Sequence, residues 1–178
     1  MHILDIDLDF FQHGITHYPA QTRSQSNTLS LWDSESILDY LHFNCNVSKD
    51  DKIVFFTEHK DVYYYLLSNV ISNEPITLTH IDAHSDLGYI NTSFVSSDNY
   101  LSFIISMFNV HTLEMVYSKY SILDIPEDIL QSYSFLRNKR IAKIKRRSIN
   151  ISCNTKHINL AIYDQNEYQN KKKADYVF

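Results

Sequence analysis

The chain of 178 residues has almost no glycine: Gly14 and Gly88 are the only two. Glycine-rich turns let a backbone close around phosphate, so both the dinucleotide fingerprint and the nucleoside-triphosphate loop are excluded. Cysteine is as scarce. Cys45 and Cys153 stand far apart with no Cys-x-x-Cys spacing. Neither a disulfide scaffold nor a thiolate zinc site is suggested, and a reducing cytoplasm is the expected location. No apolar run approaches the length of a membrane span. Asp5, Asp7 and Asp9 interrupt the N-terminal run where a signal peptide carries its apolar stretch. Positive charge is not in excess either. The formal net charge of -5 gives no general pull toward nucleic acid or an anionic membrane, and neither is expected as a partner.

What is present is a hydrophobic content of 44%, enough for a globular chain with one sizeable core. Residues 1–170 are expected to form a single catalytic domain. Residues 171–178 are expected as a basic C-terminal tail, with 171–173 a frayed, solvated end. Runs rich in Ile, Val, Leu and Phe predict strands over 3–8, 52–57, 76–81, 113–117 and 158–163, and a weaker one over 148–152. Helical spacing falls between them. Residues 34–43 place Ile37, Leu38 and Leu41 on one stripe, with Asp33 or Ser34 as cap. Residues 61–71 carry Val62, Leu66, Val70 and Ile71; residues 97–108 carry Leu101, Ile104, Ile105 and Phe108. A further helix, 126–136, opens on Pro126. Strands alternating with helices predict an α/β domain with a mainly parallel sheet. The basic run 137–147 (RNKRIAKIKRR) is either a solvated helix face or a docking surface for an acidic peptide or a nucleic acid.

Histidine is plentiful, with nine residues, and neutral imidazole is the commonest metal ligand. The strongest local signal is THIDAHSD, residues 79–86, directly after an apolar strand run. Ligands of open parallel sheets sit beyond the carboxyl ends of strands. Asp82, His84 and Asp86 alternate with Ala83 and Ser85; a continuing strand would project all three to one side at roughly 7 Å intervals. Carboxylate with imidazole suits Mn, Fe or Zn better than an all-oxygen calcium cage. The plain alternative is a polar strand end facing water.

A second signal is LDIDLDFF, residues 4–11, where Asp5, Asp7 and Asp9 alternate with Ile6 and Leu8. Two carboxylates about 5 Å apart repel by roughly 3 kcal/mol at an effective dielectric near 20. Flanking Ile3, Leu4, Phe10 and Phe11 argue for burial, and buried acids in a row need cations or protons. A third signal is VFFTEH, residues 54–59, an apolar strand that delivers His59 at its end. Together Asp7, Asp9, His59, Asp82, His84 and Asp86 suit two metal ions that share a carboxylate.

These motifs resemble the arginase and deacetylase superfamily, whose manganese signatures are Asp-x-His-x-Asp, Ser-x-Asp-x-Asp and a histidine after a strand end. Residues 82–86 are similar to the first. Asp7-Leu8-Asp9 is similar to the second, with Asp5 in the serine position, and His59 after Thr57-Glu58 to the third in a looser form. The order, with DIDLDFF first, resembles the UPF0489 family, which looks like a permuted arginase fold. Its bacterial members include peptide arginases, which convert arginine residues of ribosomally made peptides to ornithine. The resemblance implies a three-layer α/β domain with permuted strand order and two Mn²⁺ ions. Asp7 and Asp82 would bridge them, His59 and Asp86 would complete one, and Asp9 and His84 the other. Asp86, relaying a proton to the leaving amine, and His84 are the residues it assigns to the chemistry. Asn99, Asp164 and Glu167 are its candidates for substrate contact, polar loop residues being the alternative. No residue matches the loop histidine of free-arginine arginases, since His111 lies too far along. The implied partner is therefore an arginine-containing precursor peptide, and self-association is left open. Other readings are a small-molecule ureohydrolase, a deacetylase-like hydrolase, and a metal-dependent binding protein without turnover.

Overall fold

A computed structural model describes residues 1–13, 30–70, 73–87, 94–118, 142–145, 148–153 and 156–178, with the backbone alone over 142–157. The central element is a seven-stranded sheet. Its strands are β1 (His2–Ile6), β4 (Ile76–Asp82), β5 (Val110–Tyr117), β6 (Ala142–Lys145), β7 (Ser148–Cys153), β8 (Lys156–Asp164) and β9 (Tyr176–Val177). They lie in the order β6-β7-β8-β5-β4-β1-β9. From β8 to β9 every pairing is parallel; β7 and β6 close the other edge in antiparallel fashion. Two-residue strands β2 (Gln12–His13) and β3 (Ser30–Leu31) pair separately.

Both faces of the sheet are covered, because both alternating sets of side chains are apolar. Ile3, Leu78, Leu113 and Met115 point to one face. There they pack against Val62 and Leu66 of helix α2 (Lys60–Asn69) and Leu101, Ile104 and Ile105 of helix α3 (Tyr100–Met107). Leu4, Ile81 and Val116 point to the other, against Phe10, Phe11, Tyr40 and Tyr168. The second layer includes helix α1 (Ser34–Asp39) and the π-helical turn Tyr40–Asn44 that continues it. Asp33 caps α1 by accepting the Ser36 amide at 2.9 Å, and Asn46, at φ 57, turns the chain out of the π turn. Full burial of each such aliphatic side chain contributes about 1.5–3 kcal/mol. The result is an α/β domain with helices on both sides of a mainly parallel sheet.

Several elements differ from the sequence expectation. The run 52–57 is not a sheet strand: it makes one parallel bridge, Ile53 to Val177, and Phe55 is 82% exposed. Its neighbour β9 is only two residues long, so no ladder can extend along it. Residues 171–173 are exposed, as expected, but the C-terminal segment beyond them is not a loose tail. Phe178 is buried, its amide donates to the Leu4 carbonyl at 2.9 Å, and Lys173 pairs with Asp51 at 2.5 Å. The first strand ends at Ile6 rather than residue 8, and residues Leu8–Phe11 form a 3-10 turn. Leu38, expected on the buried stripe of 34–43, is 65% exposed, whereas Ile37 and Leu41 do pack on the core. Part of the basic run, 142–145, is strand rather than helix. The helix expected over 126–136, the rest of 137–147, Gly14, Gly88 and Ile71 lie outside the described residues. Among the described residues no helix is long and apolar enough to cross a membrane.

Candidate metal centre

The site assembles where β1 and β4 end side by side. The Asp7 amide donates to the Ile81 carbonyl at 2.9 Å, so the two chains leave the sheet together. Asp7 then caps the 3-10 turn: its Oδ1 accepts the Asp9 amide at 2.9 Å. That turn is anchored by Phe10 and Phe11, both fully buried, and it swings Asp9 toward β4, where Asp9 Oδ1 accepts the Ala83 amide at 3.3 Å. Asp82 is the last residue of β4 and almost fully buried.

Beyond Asp82 the chain does not stay extended, so Asp82, His84 and Asp86 do not line one face by strand alternation. The His84 amide turns back onto Asp82 Oδ1 at 2.7 Å, and Asp86 adopts φ 45. A left-handed aspartate costs on the order of 1–2 kcal/mol and persists where its surroundings impose it. Here it folds the Asp86 carboxylate back toward His59. That histidine precedes the first turn of α2 with no side-chain capping bond, which leaves its ring free to face the acids. His59 Nε2 lies 2.5 Å from Asp7 Oδ2 and its Nδ1 2.7 Å from Asp86 Oδ2. On the opposite side His84 Nδ1 lies 2.9 Å from Asp9 Oδ2.

All six sequence-selected ligand candidates therefore meet, and Asp82 is their common member. Three overlapping sets could each hold an ion: Asp7, His59 and Asp82; Asp9, Asp82 and His84; and His80, Asp82 and Asp86. Asp82 Oδ1 is 3.4 Å from His84 Nδ1, and Asp82 Oδ2 is 3.8 Å from His59 Nδ1. Asp7, expected to bridge as well, belongs to one of these sets, with His59 and Asp82.

The charges are tightly balanced. For Asp82, burial opposes ionisation as the largest effect, but the close His80 and His84 rings outweigh it and hold the carboxyl well below its ordinary range. Its anion then weighs on its neighbours. Burial first, and the Asp82 charge after it, push Asp86 up to about 6 and raise Asp9. Burial also lowers His59, yet hydrogen bonds to Asp7 and Asp86 prevail and lift it to about 11. His84 is lifted to about 10, by its bonds to Asp82 and then Asp9. In this state two imidazolium ions stand between carboxylates where metal cations can stand instead. Asp82 Oδ2 is buried without a directed hydrogen-bond donor: the nearest one, His80 Nε2 at 3.2 Å, lies off the bonding direction. An unsatisfied buried carboxylate oxygen is costly, and a cation relieves it. The residues fit a metal.

The candidates for substrate contact are not brought into this cluster by the same contacts. Asn99 is buried at the start of α3, where its Oδ1 accepts the Ser96 amide at 2.8 Å. Asp164 ends β8, in the strand row that runs from Asp82 through Tyr117, and its Oδ1 accepts the Asn166 amide at 2.9 Å. Glu167 is exposed on the following turn. Sequence reasoning missed a layer behind the ligands: His80 Nδ1 lies 3.1 Å from Asp5 Oδ2, and the Tyr100 hydroxyl donates to that same oxygen. The period of two along β4 puts His80 on the Asp82 side and was a usable signal; nothing in the sequence pairs Tyr100 with it. No family model, curated protein or solved structure matches the chain, so the case for chemistry at this site stands on its geometry.

Proposed function

We propose that this chain is a binuclear manganese hydrolase that removes urea from arginine residues of a peptide, leaving ornithine. The observation that carries the proposal is Asp82, a buried carboxylate with one oxygen toward His84 and the other toward His59. One carboxylate shared by two histidine-containing half-sites suits a pair of ions. When bound, two manganese ions would lower the pKa of a water enough to supply hydroxide near neutral pH.

The chain's own residues have separable tasks. The clustered carboxylates balance the charge of two dications, so that a cationic guanidinium is not repelled from the site. Guanidinium and water become ammonium and urea: a carbon–oxygen bond forms, the bond from carbon to the side-chain nitrogen breaks, and that nitrogen gains two protons, both from the attacking water. Asp86, whose carboxylate reaches His59 at 2.7 Å inside the cluster, is the fitting relay for those protons. His84, with 45% of its side chain exposed, is the most accessible of the six ligand candidates.

A peptide substrate is favoured by the rim. Leu8, between two ligand candidates, is 65% exposed and offers apolar contact that a free amino acid cannot use. The basic strand β6 lies four strands from β4 in the sheet, about 19 Å at ~4.8 Å per strand.

The test is incubation of the protein and Mn²⁺ with arginine-containing peptides, followed by mass spectrometry. The expected result is the mass decrease of exchanging a guanidino group for an amine, with one urea per arginine converted. Acetate released from acetyl-lysine peptides instead would favour a deacetylase-like reaction. Bound ions with untouched peptides would leave a metal-binding protein without turnover.

A further inference from the structure

Behind the six sequence-selected ligand candidates lies a buried polar layer, of which His80 alone enters a possible ion-holding set. Asp5, His80 and Tyr100 are 5%, 1% and 0% exposed, inside a cluster otherwise built of Leu78, Leu101, Ile104 and Met115. Register explains their meeting. Asp5 and His80 are direct partners across β1 and β4, Met115 is the partner of His80 on the other side, and α3 lays Tyr100 over them. An apolar residue at position 80 would pack there as well. Burying polar groups is usually no gain in stability over apolar packing of similar volume. Three polar groups in such a place call for a task.

The contacts run in one direction. The Tyr100 hydroxyl donates to Asp5 Oδ2, Asp5 Oδ2 lies 3.1 Å from His80 Nδ1, and His80 Nε2 lies 3.2 Å from Asp82 Oδ2. Asp82 Oδ1 is held from the opposite side by the His84 amide at 2.7 Å. The carboxylate that must offer one oxygen to each half-site is thus flanked at both oxygens. Groups behind the ligands of a metal orient them, and their loss commonly weakens metal binding by about 10–100-fold.

We infer that His80, backed by Asp5 and Tyr100, is a positioning residue that fixes the Asp82 carboxylate so that its two oxygens serve two ions. The inference rests on the reading of Asp82 as the shared ligand. A purely structural role for His80 predicts that stability and metal affinity fall together. A positioning role separates them.

The experiment is Mn²⁺ titration by calorimetry, with thermal unfolding in EDTA, on wild type, His80→Leu, His80→Gln and Asp5→Asn. His80→Leu is expected to weaken at least one ion by at least about tenfold while its Tm in EDTA holds or rises. His80→Gln, which can again present an N–H to Asp82, should recover part of the loss. Asp5→Asn keeps the shape of the layer, covers the case of a misfolded His80→Leu, and should weaken Mn²⁺ in the same direction. Nitrogen hyperfine couplings to bound Mn²⁺ should be equal in wild type and His80→Gln; a coupling lost in the variant makes His80 a direct ligand and overturns the inference. Wild-type affinity in both His80→Leu and Asp5→Asn also overturns it. Failure of the underlying reading looks different: the wild type itself, or an Asp82→Ala control, would show no dependence of Mn²⁺ binding on Asp82.

Discussion

Raising the pH probes the charge state of the site most directly. Without metal, His59 is lifted to about 11 and His84 to about 10, so both imidazoles carry a proton at neutral pH. An imidazole that ligates must give that proton up. With one histidine in each half-site, one proton leaves for each ion bound. The Kd for each Mn²⁺ should therefore fall about tenfold per pH unit between about pH 7 and 9, close to 1.4 kcal/mol per unit. Across two units the change is about a hundredfold per ion. Asp86, at about 6, adds a further proton and steepens the dependence below that pH. Calorimetry in buffers of different ionisation enthalpy counts the released protons directly. A Kd that stays constant from pH 7 to 9 with no proton release refutes the assignment of His59 and His84 as ligands. The metal-free protein has the opposite dependence. Both histidine pKa values are raised on folding, so their contribution to stability is complete below the unfolded value of about 6.5. It is lost as pH rises through about 10 to 11. Asp82 is held low, so its contribution is present above the unfolded carboxylate value and is lost on acidification.

Three further outcomes are expected. Asp82→Ala should bind at most one Mn²⁺ tightly and lose at least about a thousandfold in urea release, several kcal/mol of barrier, while circular dichroism in EDTA stays that of the wild type; near-normal turnover would remove Asp82 from the chemistry. An arginine inside a peptide should show kcat/KM at least about tenfold above free arginine, which needs only about 1.4 kcal/mol of extra transition-state binding; equal rates of urea release would leave a small-molecule ureohydrolase. Phe10→Ala should cost about 3–5 kcal/mol in denaturant unfolding, because Phe10 is fully buried among Phe11, Trp32 and Tyr40, and a loss under about 1 kcal/mol would mean that the 3-10 turn is not anchored there.

Much of this was legible in the sequence because it follows from periodicity. The short apolar runs along 76–81 and 113–117 mark strands buried on both faces, and those strands form the middle of the sheet. Helix α3 was legible for the same reason: Leu101, Ile104, Ile105 and Phe108 all reach the core. The ligand candidates were legible by residue type, since Asp and His in short alternation have few other uses at a strand end. How they converge was not. Strand alternation gave a reason to group Asp82, His84 and Asp86, yet the grouping arises from a turn with Asp86 at φ 45. His59 was legible as a candidate, but for a strand that does not form; the helix α2 behind it is what holds the ring near Asp7 and Asp86. The closing strand β9 was hidden because Tyr176 and Val177 follow three lysines, and composition there suggests solvent while the register with Ile3 and Leu4 says otherwise.

The division of the site between strand and turn has a dynamic consequence. Only Asp82 sits on the sheet, as the last residue of β4 and the register partner of Tyr117 in β5. Asp7, Asp9, His84 and Asp86 sit on short turns held by single amide-to-carboxylate bonds and by one left-handed residue. Without metal the turn after β4 is the easier of the two to open, because its opening exposes few buried apolar groups beyond Leu87, whereas the 3-10 turn is anchored by Phe10 and Phe11. Ions that bind only the folded arrangement should close them. At a hundredfold excess over Kd, each ion adds about 2.7 kcal/mol to stability by mass action. Hydrogen exchange with and without Mn²⁺ is the fitting measurement. Slowing is expected at the amides of Asp9, Ala83 and His84, with little change in the centre of β5, whose bonds are already protected by two neighbouring strands. Uniform slowing across the sheet would mean that the ions act on global folding instead, and that the turns are as rigid without metal as the strands that carry them.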